Sequence, residues 1–95
     1  MISFSHRVFI EVAANLSFSK AAQTLFVTQP AISKHIKALE DQYKVPLFER
    51  KGNSILLTEA GTKLNEYLLQ ATEIERKAEY DLSVLSSLSH AAGHL

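Results

Sequence analysis

The stretch SFSKAAQTLFVTQPAISKHIKALEDQY, residues 17–43, decides the fold. Ser17 or Ser19 can cap a helix over roughly residues 18–26. Its Ala21 and Ala22 let a neighbouring helix approach closely, and Leu25 and Phe26 supply bulk. Thr28 is the next N-cap, and Pro30 falls in the first turn of a third helix, where a missing N–H costs nothing. Ile32, Ile36, Leu39 and Tyr43 follow at spacings of four, three and four and define its buried face. Projected at about 100° per residue, Pro30, Ser33, Lys34 and Lys37 fall away from that face, with Gln29 at the helix start. From Thr28 to Leu39 there are two lysines, one histidine and no acid; Glu40 and Asp41 come only at the far end.

Upstream, Phe4, Val8, Val12 and Leu16 recur every four residues and Phe9 and Ala13 widen the stripe, predicting a first helix over residues 4–16. Downstream, Pro46 ends the third helix and the period shifts to two. Leu47-Phe48-Glu49-Arg50 and Ser54-Ile55-Leu56-Leu57 flank the turn triplet Lys51-Gly52-Asn53, which reads as a β-hairpin. Thr58 can cap a last helix running without proline from Glu59 to about Ser89. Ala60, Leu64, Tyr67, Ala71, Ile74, Ala78, Leu85 and Leu88 follow a rhythm near 3.5 residues that Asp81 breaks. Such a helix is about 45 Å long, more than a domain of this size can cover. Its apolar stripe therefore needs a second copy, with Leu64, Tyr67, Ala71, Ile74, Ala78 and Leu85 as the dimerisation residues. The expected fold is mainly α: a winged helix-turn-helix of three helices and a hairpin over residues 1–57, then a linker helix over residues 58–90.

Ten Lys+Arg balance ten Asp+Glu, so the formal charge is zero, which on its face argues against a nucleic-acid partner. The sum hides a division. Residues 1–57 hold seven basic and four acidic side chains, a net of +3, and residues 58–95 hold three basic and six acidic, a net of −3. At 46% apolar residues the chain can build one core. Without cysteine it has no disulfide, thiolate metal site or cysteine nucleophile. No apolar run is long enough to span a membrane and no signal peptide is readable, so a cytoplasmic protein is expected, with no membrane partner.

A short helix, a tight turn and a longer helix with a polar outer face form the arrangement of a helix-turn-helix reader of double-stranded DNA. Gln29 and Lys34 can bond purine edges, Ser33 phosphate or base, and helix N-termini attract phosphate. Arg50 on the hairpin is placed to touch backbone or minor groove. The candidate DNA-binding residues are Ser19, Lys20, Thr28, Gln29, Pro30, Ser33, Lys34, Lys37, Arg50 and Asn53. His35 reads as an exposed helix residue, and His6, His90 and His94 lack the spacing of a metal site. A protein-interaction module is the competing class, and acid on the outer face of the third helix would favour it. No Ser/His/Asp or paired-carboxylate arrangement accompanies a glycine-rich element, so neither an enzyme nor a cofactor is expected.

The run Ser17-Phe18-Ser19-Lys20-Ala21-Ala22, then Leu25, then Thr28-Gln29-Pro30-Ala31-Ile32-Ser33, then Ile36-Lys37-Ala38-Leu39-Glu40 resembles the N-terminal domain of LysR-type transcriptional regulators. Pro46-Leu47-Phe48-Glu49-Arg50 and Leu57-Thr58-Glu59-Ala60-Gly61 continue the likeness in register. The resemblance implies a bacterial regulator that binds an interrupted palindrome in promoter DNA as a homodimer through the linker helix, with a tetramer open for the full-length protein. It places Gln29, Pro30, Ser33 and Lys34 at the groove and Arg50 in the wing. It also implies a C-terminal domain that senses a small-molecule effector; that domain is absent, and residues 91–95 read as the start of a connection to it, making this a truncated chain. Two positions depart from the family pattern. Lys44 stands where many members close the third helix with glycine, and Asn53 stands where a second wing arginine is frequent.

Overall fold

Three hydroxyl side chains open three helices. Ser3, Ser17 and Thr28 sit in extended backbone, and their oxygens accept from the N–H of His6, Lys20 and Ala31 respectively. The computed structural model describes residues 2–91, with α1 over Phe4–Asn15, α2 over Phe18–Leu25 and α3 over Gln29–Tyr43. Strands β1 (Phe48–Lys51) and β2 (Ser54–Leu57) form the hairpin, and α4 runs over Glu59–Ala91. This is the winged helix-turn-helix and long helix expected from the sequence. Of the expected connection at residues 91–95, Ala91 is the last residue of α4 and residues 92–95 lie outside the described residues.

Each of the first three helices stops on a non-glycine residue in the left-handed region: Leu16 (φ 48°), Phe26 (φ 58°) and Lys44 (φ 59°). Such a conformation costs an L-residue about 1–2 kcal/mol. It persists because the reversed chain satisfies orphan carbonyls: Val27 N–H donates to Ala22 and Val45 N–H to Glu40, each reaching back five residues. Lys44 thus takes the place of the glycine in person, its own N–H donating to Glu40 at 2.8 Å. The expectation that Phe26 supplies core bulk is corrected. Ending α2 at Leu25 throws the Phe26 ring outward, where it is 94% exposed.

Val8, Phe9 and Val12 of α1, Ala21 and Ala22 of α2, and Ile32, Ile36 and Leu39 of α3 form the core, closed below by Leu47 and Leu68. Tyr43, expected on the buried face, is 39% exposed. Its hydroxyl instead meets His6 Nε2 at 2.6 Å, which ties α3 to α1.

The hairpin pairs Phe48 with Leu57, Arg50 with Ile55 and Lys51 with Ser54, leaving a two-residue turn of Gly52-Asn53. The expected three-residue turn is shortened by one because Gly52 takes φ 62°, the geometry that lets two residues reverse a twisted hairpin. The wing is held at its root. Glu40 Oε2 accepts from Leu47 N–H at 2.7 Å, Thr58 Oγ1 donates to the Pro46 carbonyl at 2.7 Å, and Thr58 N–H donates to Leu47. Gly61 is required where α4 crosses this root, since a Cβ there would stand 2.1 Å from the Leu47 carbonyl oxygen.

Candidate nucleic-acid interface

A groove of about 480 Å³ opens between the N-terminus of α2, the N-terminus of α3 and the wing. The N-cap of α2 places Ser17 and Ser19 on its upper rim, their hydroxyls 3.3 Å apart. Gln29, the first residue of α3, enters from the side, and Arg50, Asn53 and Ser54 come from the wing. Strand alternation puts Arg50 on the same hairpin face as Phe48, Ile55 and Leu57, three side chains that pack against the head. The guanidinium is therefore carried toward the helices, on the side where the hairpin is anchored.

Two helix N-termini converge on this groove, each contributing unpaired backbone N–H groups and the positive end of a dipole. Arg50 adds a full charge, and no acidic residue lines the groove. The arrangement attracts anions, phosphate in particular. The groove brings together four of the ten candidate residues: Ser19, Gln29, Arg50 and Asn53. Ser33, Lys34 and Lys37 lie outside it, exposed on the outer face of α3, and Pro30 and the α3 cap Thr28 are exposed at that helix's start. Lys20 is exposed in the first turn of α2.

Three features of this surface were missed or misjudged in the sequence. Asp41 lies one turn beyond Lys37, and its carboxylate stands 3.6 Å from the ammonium, so the acid at the end of α3 is not separate from the basic face. Both side chains are well exposed, and such a pair is weak. Glu40 is no surface acid but the strut that fixes the wing, a role no local pattern announces. His35 is half-buried, not exposed: its Nδ1 is 2.8 Å from Ser5 Oγ and its ring meets Phe4 edge-on. Among the described residues no cluster of three or more potential metal ligands occurs. No helix among them is long and apolar enough to cross a membrane.

Of the candidate dimerisation residues, Leu64 is placed differently from the others. It is half-buried against the head, beside the buried Leu68, which the heptad reading passed over. Tyr67, Ala71, Ile74, Ala78 and Leu85 are exposed. Ala71, Ile74 and Ala78 line an apolar groove of about 490 Å³ with Ile2, His6 and Leu68. On another side of α4, Arg76 donates to both carboxylate oxygens of Glu73, which holds the Glu73 carboxyl below its ordinary range and raises Arg76.

Residues 5–62 match the model of a family described as bacterial regulatory helix-turn-helix protein, lysR family. The glycine cleavage system transcriptional activator of Escherichia coli K12 is 47% identical over 77 residues, covering 77% of this chain and 25% of that protein. The chain thus spans about a quarter of that relative's length. The crystal structure of the CbnR DBD–DNA complex superposes with a TM-score of 0.81 at 30% identity, covering 90% of this chain and 99% of that one. A transcriptional regulator of the LysR family from Eggerthella lenta is 40% identical with a TM-score of 0.68, covering 72% of this chain and 97% of that one.

Proposed function

The chain belongs to the lysR family of bacterial regulatory helix-turn-helix proteins, and from that premise we propose how it engages DNA. It is the DNA-binding part of a transcription regulator, and it binds an interrupted palindrome in promoter DNA as a homodimer. Two copies of α3 enter successive major-groove segments, and paired α4 helices fix their separation. The observation that carries this reading is the acid-free groove in which the N-termini of α2 and α3 meet Arg50.

Within the interface the roles divide. Lys20, Lys37, Arg50, Ser19 and the N-cap of α2 hold phosphates and set the register, while Gln29, Ser33 and Lys34 reach base edges. Thr28 and Pro30 shape the α3 N-terminus against the backbone, and Asn53 follows Arg50 along the wing. None of these groups is arranged for bond making, and the chain acts by binding alone, in the cytoplasm where the chromosome is. The described residues belong to the head and α4, and small-molecule sensing and any tetramer are assigned on this reading to a separate effector domain.

Fluorescence anisotropy of labelled duplex DNA at several salt concentrations tests the proposal. Six to nine phosphate contacts per dimer predict that log affinity falls with log salt at a slope of about −5 to −8. An affinity independent of salt removes the reading. Lys34→Ala should cost about 1–3 kcal/mol on the selected site and little on random duplex. An equal loss on both assigns Lys34 to phosphate.

A further inference from the structure

We propose that Glu40 is a positioning residue for DNA binding: through the connector between α3 and β1 it holds the wing at the angle that brings Arg50 to a phosphate while α3 sits in the groove. The inference rests on the reading of Arg50 as a phosphate contact, and it names what aims that side chain.

Residues 44–48 lead from α3 into β1, and Pro46 among them has no N–H. The other four amides all donate to one residue. Lys44 and Val45 reach the Glu40 carbonyl oxygen at 2.8 and 3.3 Å. Leu47 and Phe48 reach its carboxylate oxygen Oε2 at 2.7 and 3.4 Å. Backbone donors in a folded chain need partners, so a connector whose donors all end on Glu40 takes its path from that residue. The carboxylate is half-buried, and neither ion pair among the described residues involves it. Its charge is spent on the two wing amides, which strengthens both bonds.

Phe48 holds the same strand from its other side. Its ring centroid lies 5.2 Å from that of Phe9 and 6.1 Å from that of Phe18, so the hairpin is docked on the head at this ring. A single ring leaves rotation about itself, and the bonds to Glu40 remove it. Arg50 shares the Phe48 face and lies two residues, about 7 Å, further along the strand. A turn of about 10° at Phe48 therefore shifts the Arg50 backbone by about 1 Å, enough to part a hydrogen-bonded pair. Arg50 is exposed and belongs to neither ion pair among the described residues, so the strand beneath it sets its aim. Glu40 thus makes α3 and the wing one rigid unit.

Two substitutions separate reach from charge. Glu40→Asp keeps the charge and is one methylene too short for the wing amides; Glu40→Gln keeps the reach and an accepting oxygen and drops the charge. Fluorescence anisotropy on the full chain at several salt concentrations reads the outcome, with urea unfolding confirming that each variant is folded at the assay temperature. Arg50→Ala should weaken binding roughly ten-fold and flatten the salt slope by about 2 per dimer, one phosphate for each copy. Glu40→Asp should weaken binding roughly five-fold and flatten the slope by about 1 to 2. Glu40→Gln should restore both, with affinity within about two-fold of the original. Added to Arg50→Ala, Glu40→Asp should cost nothing further. An equal loss with and without Arg50, or a slope unchanged by Glu40→Asp, overturns the positioning role and leaves Arg50 on its phosphate. A Glu40→Gln chain that binds no better than Glu40→Asp overturns it as well. If Arg50→Ala binds like the original, the wing contact and the positioning role fall together.

Discussion

The head and the distal half of α4 have comparable apolar content and opposite fates. In the head, Val8, Phe9, Val12, Ala21 and Ile32 are 0% exposed. Along α4 every side chain from Arg76 to His90 is exposed, Ile74 just before them is 68% exposed, and Tyr80, Leu82, Leu85 and Leu88 all exceed 60%. The molecule is accordingly 61 Å long and only 20 Å thin, with a radius of gyration of 17.3 Å. A compact chain of this length would have a radius near 12 Å. Three helices around a corner can cover one another, whereas a helix leaving that corner can cover nothing. The head is held by its own contacts, and on the proposed reading the outer part of α4 depends on a second chain.

The largest test of that contrast is a pair of truncations. Phe9→Ala should cost about 3–5 kcal/mol in urea unfolding of the head, because the emptied space is enclosed on all sides. Leu85→Ala should leave the head within about 0.5 kcal/mol and act instead on the concentration dependence of α4 melting. A head loss of similar size for Leu85→Ala would erase the distinction between the two regions.

The junction is where the two regions are welded. Gly61→Ala drives a methyl group against the Leu47 carbonyl, and neither backbone can yield without disturbing the Thr58 and Glu40 bonds that hold the wing. A destabilisation of about 3 kcal/mol is expected, read as a lower denaturation midpoint. A neutral result would mean that α4 is free to lift from the head, and the weld would be no weld.

Much of the head was readable from the chain alone, because its signals are local. A hydroxyl before each helix, a proline in the first turn and four-three spacing each act within a few residues. The misplacements share a different cause. Tyr43, Phe26 and Leu64 all carry the right residue type at the right spacing, and only the packing of other elements determines whether such a face is covered. The candidate surface was legible as residue types; its assembly was not. Glu40 bonding to Leu47 joins residues seven apart through the folded wing, and Ser5 reaching His35 spans 30 positions. Neither leaves a local pattern. The left-handed caps hid for the opposite reason, since glycine is the usual sign and here leucine, phenylalanine and lysine fill the place.

Those caps offer a smaller test within the head. Phe26 carries positive φ and a ring that buries almost nothing, so Phe26→Gly removes strain at little packing cost. A gain of about 0.5–1 kcal/mol is expected in the unfolding free energy. A loss instead would show that the ring contributes to the fold despite its exposure.

The least effect should come from the charge division between the regions. The head carries +3 and the rest of the chain −3, and the simplest view is that the acidic helix repels DNA from the basic surface. Glu79 lies 20 residues into α4, about 30 Å along the helix from its start. Screening acts over about 8 Å at physiological ionic strength. Replacing Glu66 and Glu79, both exposed, by glutamine should therefore change random-duplex affinity by less than about two-fold at 0.15 M salt. At 0.01 M, where the screening length grows to about 30 Å, the variant should bind measurably more tightly. A large gain at physiological salt would mean that α4 lies closer to the phosphates than a helix extending from the head allows. The two regions would then share one electrostatic surface.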